Sequence, residues 1–329
     1  LSCLTGTPFT IVNIRAQRKK PGLAPQHLTA VRAVAQVCRA HLEGDSLGSQ
    51  RLVFQPGGPP IPGDYRWDVA EEAGRGSAGS VTLILQTVLL PLVMAAGKST
   101  LTIRGGTHVP YSPPVHYLVN VFLPTVGLPV RLDQVDWGWY PRGGGEIAVA
   151  IDGPAAPGAL NLSQRGPLQR IEGVAVVTNL PAHIPQRMVN RARGVLRGLG
   201  TPLDIKPLRA RSHAPGAGVF LTARYQNARA GFSALGRKGK ASETVAEEAC
   251  RALLAHHQSD ASVNLHLADQ LILPCAVAGG RSVITTPRVT AHLTTNIYVV
   301  RQFLDTNIAL DGTIGSAGRV TLSGEGVDV

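Results

Sequence analysis

The sequence predicts an α+β fold built on a recurring unit, and three observations carry that expectation. Residues 26–54 read as a helix, a turn and a strand close to Gly/Pro-rich sequence. Residues 117–151 repeat that order, and a third instance is expected after Asn296.

Taken in order, residues 9–14 alternate into a short strand, and residues 15–25 form a basic loop containing the turn formers Pro21 and Gly22. Over residues 26–41, Leu28, Val31, Val34, Ala35 and Val37 recur at helical spacing, with Gly44 expected to end the run. Residues 52–54 give a strand. The Pro/Gly-rich stretch 56–63 and the segment 74–79 read as flexible loops, either of which suits a place beside a ligand. The run 81–96 is apolar apart from Gln86 and short of the ~20 residues a bilayer span needs, so it is read as a buried helix. A strand at 101–103 runs into Gly105 and Gly106, residues 117–126 give another buried helix, and Gly143-Gly144-Gly145 leads into an alternating strand at 147–151. Farther on, a strand at 171–177 precedes a cationic helix with Pro185 in its first turn. Met188, Val189, Ala192, Val195, Leu196 and Leu199 form its apolar stripe, leaving Arg187, Arg191, Arg193 and Arg197 outward as solvated surface or as RNA contacts.

A chain of 329 residues is long enough for two domains of ordinary size. With 44% hydrophobic and 16% charged residues, long disordered tails are not expected. The net charge of +11 favours a polyanionic partner, nucleic acid or nucleotide, over the plainer alternative of a basic protein without one. Cys3, Cys38, Cys250 and Cys275 lie far apart with no C-x-x-C pair, which argues against a zinc ribbon or a disulfide framework and fits a reduced intracellular compartment. Leu1 to Gly6 reads as the end of a helix that began earlier, with Gly6 as its stop, and no signal peptide is expected.

Several segments invite a chemical reading. Gln86, inside an apolar helix, is either a ligand contact or a tertiary hydrogen bond. Asp269-Gln270 is either a ligand contact or a helix start capped by Asp269. Gly105-Gly106-Thr107 lets backbone approach a ligand, whereas Gly143-Gly144-Gly145 suits a tight turn or bulge. Gly97-Lys98-Ser99 imitates the end of a phosphate-binding loop, but Leu92 stands where that motif needs glycine, and the order is helix then strand. Gly97 is therefore read as a helix stop.

Arg104-Gly105-Gly106-Thr107-His108 with Pro110 and Pro113, His266-Leu267-Ala268-Asp269-Gln270, and Ala291-His292-Leu293-Thr294-Thr295-Asn296 together resemble the RNA 3′-terminal phosphate cyclase family. So does Ile14-Arg15-Ala16-Gln17-Arg18 with the Lys20-Pro21-Gly22-Leu23 and Gln26-His27-Leu28 that follow, although Gln17 stands where glycine is usual. The resemblance implies three copies of an α+β unit making a large domain, residues 1–165 and 261–329, with a smaller α/β domain inserted at 166–260. It also implies conversion of an RNA 3′-phosphate into a 2′,3′-cyclic phosphodiester with ATP and a divalent cation, magnesium or manganese.

In this reading His292 is the nucleophile. A neutral imidazole offers a lone pair to the α-phosphorus of ATP, and the resulting P–N bond is reactive enough to pass the adenylyl group onward. Thr294, Thr295 or Asn296 would hold the other ring nitrogen. The resemblance places Gln86, Pro113, Tyr117, His266, Leu267, Ala268, Asp269 and Gln270 at the nucleotide, with Tyr117 stacking on adenine or serving as core. His266 stands where an aromatic residue is usual. Arg15 and Arg18 would grip the RNA 3′-phosphate through guanidinium forks. The family's N-terminal strand and glycine-rich segment have no counterpart, so the chain is expected to begin after them, with a sheet edge uncovered and activity in question. The rival expectations are a non-catalytic cyclase-like RNA-binding factor in ribosome maturation, a branch that lacks the nucleophilic histidine, and a small-molecule transferase on the same repeated fold. His292 favours the enzyme. No membrane association is expected, and the compartment would be the nucleus of a eukaryote or the cytoplasm of a bacterium.

Overall fold

The computed structural model describes residues 1–73 and 78–327, so most of the loop expected at 74–79 lies outside the described residues. The chain divides into two compact units, one of Leu1–Val115 and Leu128–Ala156, the other of His116–Gly127 and Pro157–Gly326.

The first unit opens with α1 (Ser2–Thr5), closed by Gly6 at φ 68°, then β1 (Phe9–Ile11) and α2 (Pro25–Cys38). Helix α2 buries Leu28, Thr29, Ala33, Ala35, Val37 and Cys38; of the expected stripe, Val31 and Val34 are only half-buried. It ends well before Gly44, because Arg39 turns left-handed at φ 51° and the chain leaves to pair β2 (His41–Glu43) with β3 (Leu52–Gln55). Gly44 instead makes the turn between those strands at φ 78°, where a Cβ would lie 2.2 Å from the Arg51 carbonyl oxygen.

Next come β4 (Asp64–Asp68), α3 (Val69–Ala73), α4 (Val81–Met94) and β5 (Lys98–Gly105). Helix α4 is apolar on nearly every side and buries Ile84, Leu85, Val88, Leu92 and Val93 completely. The helix stops at Met94 with an extended Ala95, so Gly97 is not its stop; that glycine lies beyond the end, against the Pro62 ring. The order helix then strand stands, and it is not that of a phosphate-binding loop.

The stretch expected as one helix at 117–126 is three pieces: α5 (Val115–Tyr117), a π-helical turn (Leu118–Phe122) and α6 (Leu123–Val126). Pro124 has no N–H for the regular ladder, and the Leu123 N–H reaches back five residues to the Leu118 carbonyl. Strands β6 (Val130–Asp136) and β7 (Gly145–Asp152) follow, and β4 to β7 make one sheet in the order β4-β5-β7-β6. β7 alternates between buried and half-buried positions, with Ile147, Val149 and Ile151 inward.

In the second unit, β8 (Asn161–Leu162) precedes β9 (Leu168–Thr178), α7 (His183–Leu196), β10 (Leu203–Ala210), β11 (Gly216–Tyr225), β12 (Arg229–Leu235) and α8 (Ser242–Gln258). Strands β9 to β12 form a sheet of their own, ordered β10-β9-β11-β12, packed by α7 and α8. Of the expected stripe on α7, Met188, Val189, Ala192 and Leu196 are fully buried, while Val195 and Leu199 are only half-buried. Arg187 and Arg191 pair with Glu243 and Glu247 of α8, so half of the cationic face is neutralised within the fold.

The chain then runs through α9 (Leu265–Gln270), α10 (Ile272–Val277), β13 (Gly280–Thr286), α11 (Ala291–Val300), β14 (Asn307–Asp311) and β15 (Gly318–Gly324). The third four-stranded sheet is ordered β14-β15-β13-β8. Its pairings match those of β4 to β7: β8 runs parallel to β13 as β4 does to β5, and β13-β15-β14 is antiparallel throughout like β5-β7-β6. The small sheet β1-β3-β2 reproduces the antiparallel three-strand part of that pattern. In each copy a helix precedes the final hairpin, namely α2, the α5–α6 stretch and α11.

Candidate functional site

Helix α9 is set by one buried amide. Asn264 caps it, its Oδ1 accepting from the Leu267 N–H at 3.1 Å and from the Tyr117 hydroxyl at 2.9 Å. Its Nδ2 donates to the Gly231 carbonyl at 2.7 Å, so the carboxamide joins three separate segments. Asp269 is therefore not the cap but sits in the last turn of α9, half-buried. Leu267 and Ala268 are fully buried, which leaves His266, Asp269 and Gln270 as the side chains of this segment nearest solvent.

Helix α11 opens with its own cap, Thr290, whose hydroxyl accepts from the Leu293 N–H at 3.1 Å. His292 lies exposed in the first turn, where backbone N–H groups without intrahelical partners and the helix dipole favour a phosphate. One turn on, Asn296 donates to the Asp269 backbone carbonyl at 2.9 Å, clamping α9 to α11. Asn296 is thus committed to Asp269, and Thr294 turns back to the Ala291 carbonyl at 3.1 Å.

These groups also act on one another electrostatically. Burial pushes the Asp269 carboxyl up to about 6, with the His292 ring partly opposing the shift. His266 keeps an open face, yet packing lowers its pKa, and the nearby His292 and Arg288 lower it further. A carboxyl that titrates near neutrality beside an exposed imidazole suits proton and phosphate chemistry. Among the described residues, no group of three or more His, Cys, Asp or Glu is arranged to hold a metal ion.

Tyr117 is a core residue. Its ring packs so closely on Gly231 that a Cβ there would lie 2.6 Å from a ring carbon, and its hydroxyl is spent on Asn264. Burial raises its pKa well above the usual phenol value. Of the two readings open from the sequence, stacking on adenine or core, the structure shows the core residue, and its support of the site runs through Asn264.

The remaining sequence candidates belong to the first unit. Gln86, expected as a buried amide, is half-buried on α4. Pro113 is tied to the start of the same helix, its carbonyl accepting from the Thr82 hydroxyl at 2.7 Å. Arg15, at φ 51°, donates to the Gly22 carbonyl at 2.8 Å and so closes its own loop, while Arg18 is exposed. Gln17 is not among the residues at positive φ, so glycine is not required there.

The glycines at 105 and 106 serve a different purpose from the ligand approach expected of them. A Cβ on Gly105 would lie 2.6 Å from the Gly79 carbonyl oxygen, and one on Gly106 would lie 2.5 Å from that of Ala78. Backbone therefore packs on backbone. Beyond them, His108 is fully buried, stacked on Trp137 at 4.4 Å and bonded through Nδ1 to the Thr107 hydroxyl. Gly143 and Gly144, at φ 68° and 72°, make the expected tight turn.

Asn264, Thr290 and Arg288 were not singled out from sequence. Asn264 and Thr290 each stand one residue before an apolar-periodic run, which is the signature of a helix cap. Arg288 leaves no such trace.

By its fold the chain is a repeat-built α+β protein, with a polar cluster where α9 meets the start of α11. A profile of the RNA 3′-terminal phosphate cyclase family matches residues 1–310, and the chain belongs to that family. It is similar to the RNA 3′-terminal phosphate cyclase of Methylococcus capsulatus, 52% identical over 321 residues, covering 95% of this chain and 89% of that protein. The namesake in Trichormus variabilis is 51% identical over 306 residues, covering 92% and 88%. The archaeal one in Pyrococcus furiosus is 38% identical over 323 residues, covering 97% and 92%.

Proposed function

We propose that this chain converts an RNA 3′-phosphate into a 2′,3′-cyclic phosphodiester at the expense of ATP. The observation that carries the reading is the Asn296 clamp, which sets His292 in the first turn of α11 beside Asp269 and His266. His292 attacks the α-phosphorus of ATP through a neutral ring nitrogen, and pyrophosphate departs. An oxygen of the RNA 3′-phosphate then takes the adenylyl group from His292. The vicinal 2′-hydroxyl attacks the activated phosphorus, AMP leaves and the ring closes; DNA lacks that hydroxyl.

The residues here do the positioning. The first-turn N–H groups of α11 face phosphate oxygens, Asp269 near pH 6 holds or releases a proton next to His292, and His266 with Gln270 borders the nucleotide. Gln86 and Pro113 are assigned to the nucleotide, and Arg15 with Arg18 to the RNA phosphate. Among the described residues no cluster of His, Cys, Asp or Glu forms a cage for a divalent cation, so the magnesium or manganese expected with ATP is assigned to the phosphates of the nucleotide. Residues 166–260 are assigned to an inserted domain, a reading supported by their own sheet and by their place between β8 and α9 of a repeat that elsewhere lacks them. Four buried, unpaired cysteines suit an intracellular, reducing setting, and among the described residues no helix is long and apolar enough to cross a membrane.

Incubation with α-labelled ATP and magnesium tests the reading. Acid-labile, alkali-stable label is expected on the parent and none on His292→Ala. An unlabelled parent would return the chain to the non-catalytic, RNA-binding alternative.

A further inference from the structure

Charge is distributed very unevenly along this chain. Residues 166–260 hold fourteen lysines and arginines against six acids, a net +8 out of the +11 of the whole, in under a third of its length. Five of those six acids are spent inside the fold. Glu243 pairs with Arg187, Glu247 with Arg191 and Arg251, Glu248 with Lys240, Glu172 with Arg170 and Arg224, and Asp204 with Lys206. The sixth, Asp260, follows the C-terminal end of α8.

The surplus gathers at one end of the sheet. β9 and β10 run parallel and finish together, Ala210 opposite Thr178, while β11 begins and β12 finishes at that same end. Arg209 and Arg211 are carried there by β10 and the loop after it, and Arg237 and Lys238 by the loop after β12. All four are exposed, and none has an acidic partner among the described residues.

The loops that carry them are pinned. The Thr178 hydroxyl donates to the Ala214 carbonyl and Asn179 Nδ2 to the Ser212 carbonyl, each at 2.8 Å. The Gly236 N–H extends the ladder to the Ala217 carbonyl, and the Lys240 N–H closes a turn on Arg237. Protection of the open β10 edge accounts for Lys206 and Arg209, but not for Arg211, Arg237 and Lys238, which lie beyond the strands.

We infer that this end of the β10-β9-β11-β12 sheet is a docking surface for the sugar-phosphate backbone of single-stranded RNA, upstream of its reacting 3′ end. The inference rests on the proposed function for the choice of RNA and deepens it. Guanidinium and ammonium groups carried on pinned loops, without acidic partners among the described residues, attract phosphates and gain affinity by releasing their counterions. Residues 178–183, 209–217 and 235–241 contain no Phe, Tyr or Trp on which bases would stack, so the surface reads backbone and tolerates any sequence.

Anisotropy titrations test this, using a labelled 20-nucleotide RNA with a 3′-phosphate over a salt series and without ATP. The variants are Arg209→Ala/Arg211→Ala, Arg237→Ala/Lys238→Ala, and a control of equal charge loss, Arg170→Ala/Arg251→Ala. Each surface variant is expected to bind several-fold more weakly and to flatten the log–log salt slope by about 1.4, at roughly 0.7 per lost phosphate contact. The control should bind like the parent. Parent-like binding by both surface variants, or an equal loss in the control, overturns the inference. Cyclisation of a 3′-phosphorylated dinucleotide, assayed alongside, separates the two readings. If the parent cyclises it while the surface variants bind the long RNA normally, only the docking surface falls. If the parent does not cyclise it but the surface variants lose RNA, the surface stands and the proposed chemistry falls.

Discussion

His116 and His292 occupy the same place in two copies of one repeat, each the second residue of the helix that leads to the closing hairpin. Their surroundings differ in every respect that matters to reactivity. His116 stacks on Phe220 at 4.9 Å and is buried enough to push its pKa down to about 4. His292 is exposed in the first turn of a helix capped by Thr290, beside a carboxyl that titrates near 6. A repeat hands down positions; the packing of each copy decides which of them can do chemistry. In the first copy, His27 spends its Nδ1 accepting from the Ala24 N–H and so caps its own helix.

The largest expected effect divides that pair. His292→Ala should abolish covalent labelling by ATP, whereas His116→Phe, which keeps the ring stack, should label at a rate within a few-fold of the parent. If His116→Phe lost labelling while still folded, the division between the two copies would be wrong.

Next comes the amide behind the site. Asn264→Leu strands the Tyr117 hydroxyl and takes from the Gly231 carbonyl its side-chain donor in a buried setting, while the Leu267 N–H keeps the Asn264 backbone carbonyl; the loss should be about 3 kcal/mol in urea denaturation. A loss under about 1 kcal/mol would mean that α9 is held by packing alone.

His256 sharpens the contrast between buried and open histidines. It is 4% exposed, neither ring nitrogen has a hydrogen-bond partner among the described residues, and burial, with Arg165 and His257 adding, lowers its pKa from 6.5 to about 4. A histidine held neutral by the fold stabilises it fully above pH 6.5, and that contribution drains away as the pH falls towards 4. Relative to the parent, His256→Leu should gain about 2 kcal/mol between pH 7 and 4.5, read from paired urea melts at each pH. Parallel melts would remove His256 as an acid-sensitive point.

The smallest effect falls on Asp269. Its folded pKa lies above the unfolded value of 3.8, so its contribution is fully present below that value and is lost as the pH rises through about 6. Asp269→Asn should therefore be more stable than the parent at pH 8 by about 1 kcal/mol, discounting for partial exposure, and equal to it at pH 3.5. Labelling by the same variant should slow. A variant that gained stability and kept its full rate would assign Asp269 to the fold alone.

Much of this architecture is legible in the residues. The apolar run that became α4, the alternation that became β7 and the recurring helix with its hairpin follow from periodicity, because burial of a face is a local pattern. What escaped was set by partners distant in the chain. Cys38 ends α2 because the following residues leave to pair with β3, and Gly105 is glycine because the backbone at 79 presses on it. The sequence leaves Tyr117 between stacking and core, because the group that claims its hydroxyl is 147 residues away. Within the site, the histidine and the Asp-Gln pair could be marked from sequence, whereas the Asn296 clamp and the Arg288 contribution exist only once α9 and α11 are folded together.

The carboxamide of Asn264 has one further consequence, for the ageing of the molecule. Hydrolysis of that amide would change no volume, yet it would swap a donor for a carboxylate oxygen opposite the Gly231 carbonyl, setting lone pair against lone pair where 2.7 Å now separates partners. The same burial that makes the exchange so damaging keeps water from the bond, since the residue is only 4% exposed. A slow chemical clock thus sits behind the candidate site, and the intact fold is what keeps it stopped.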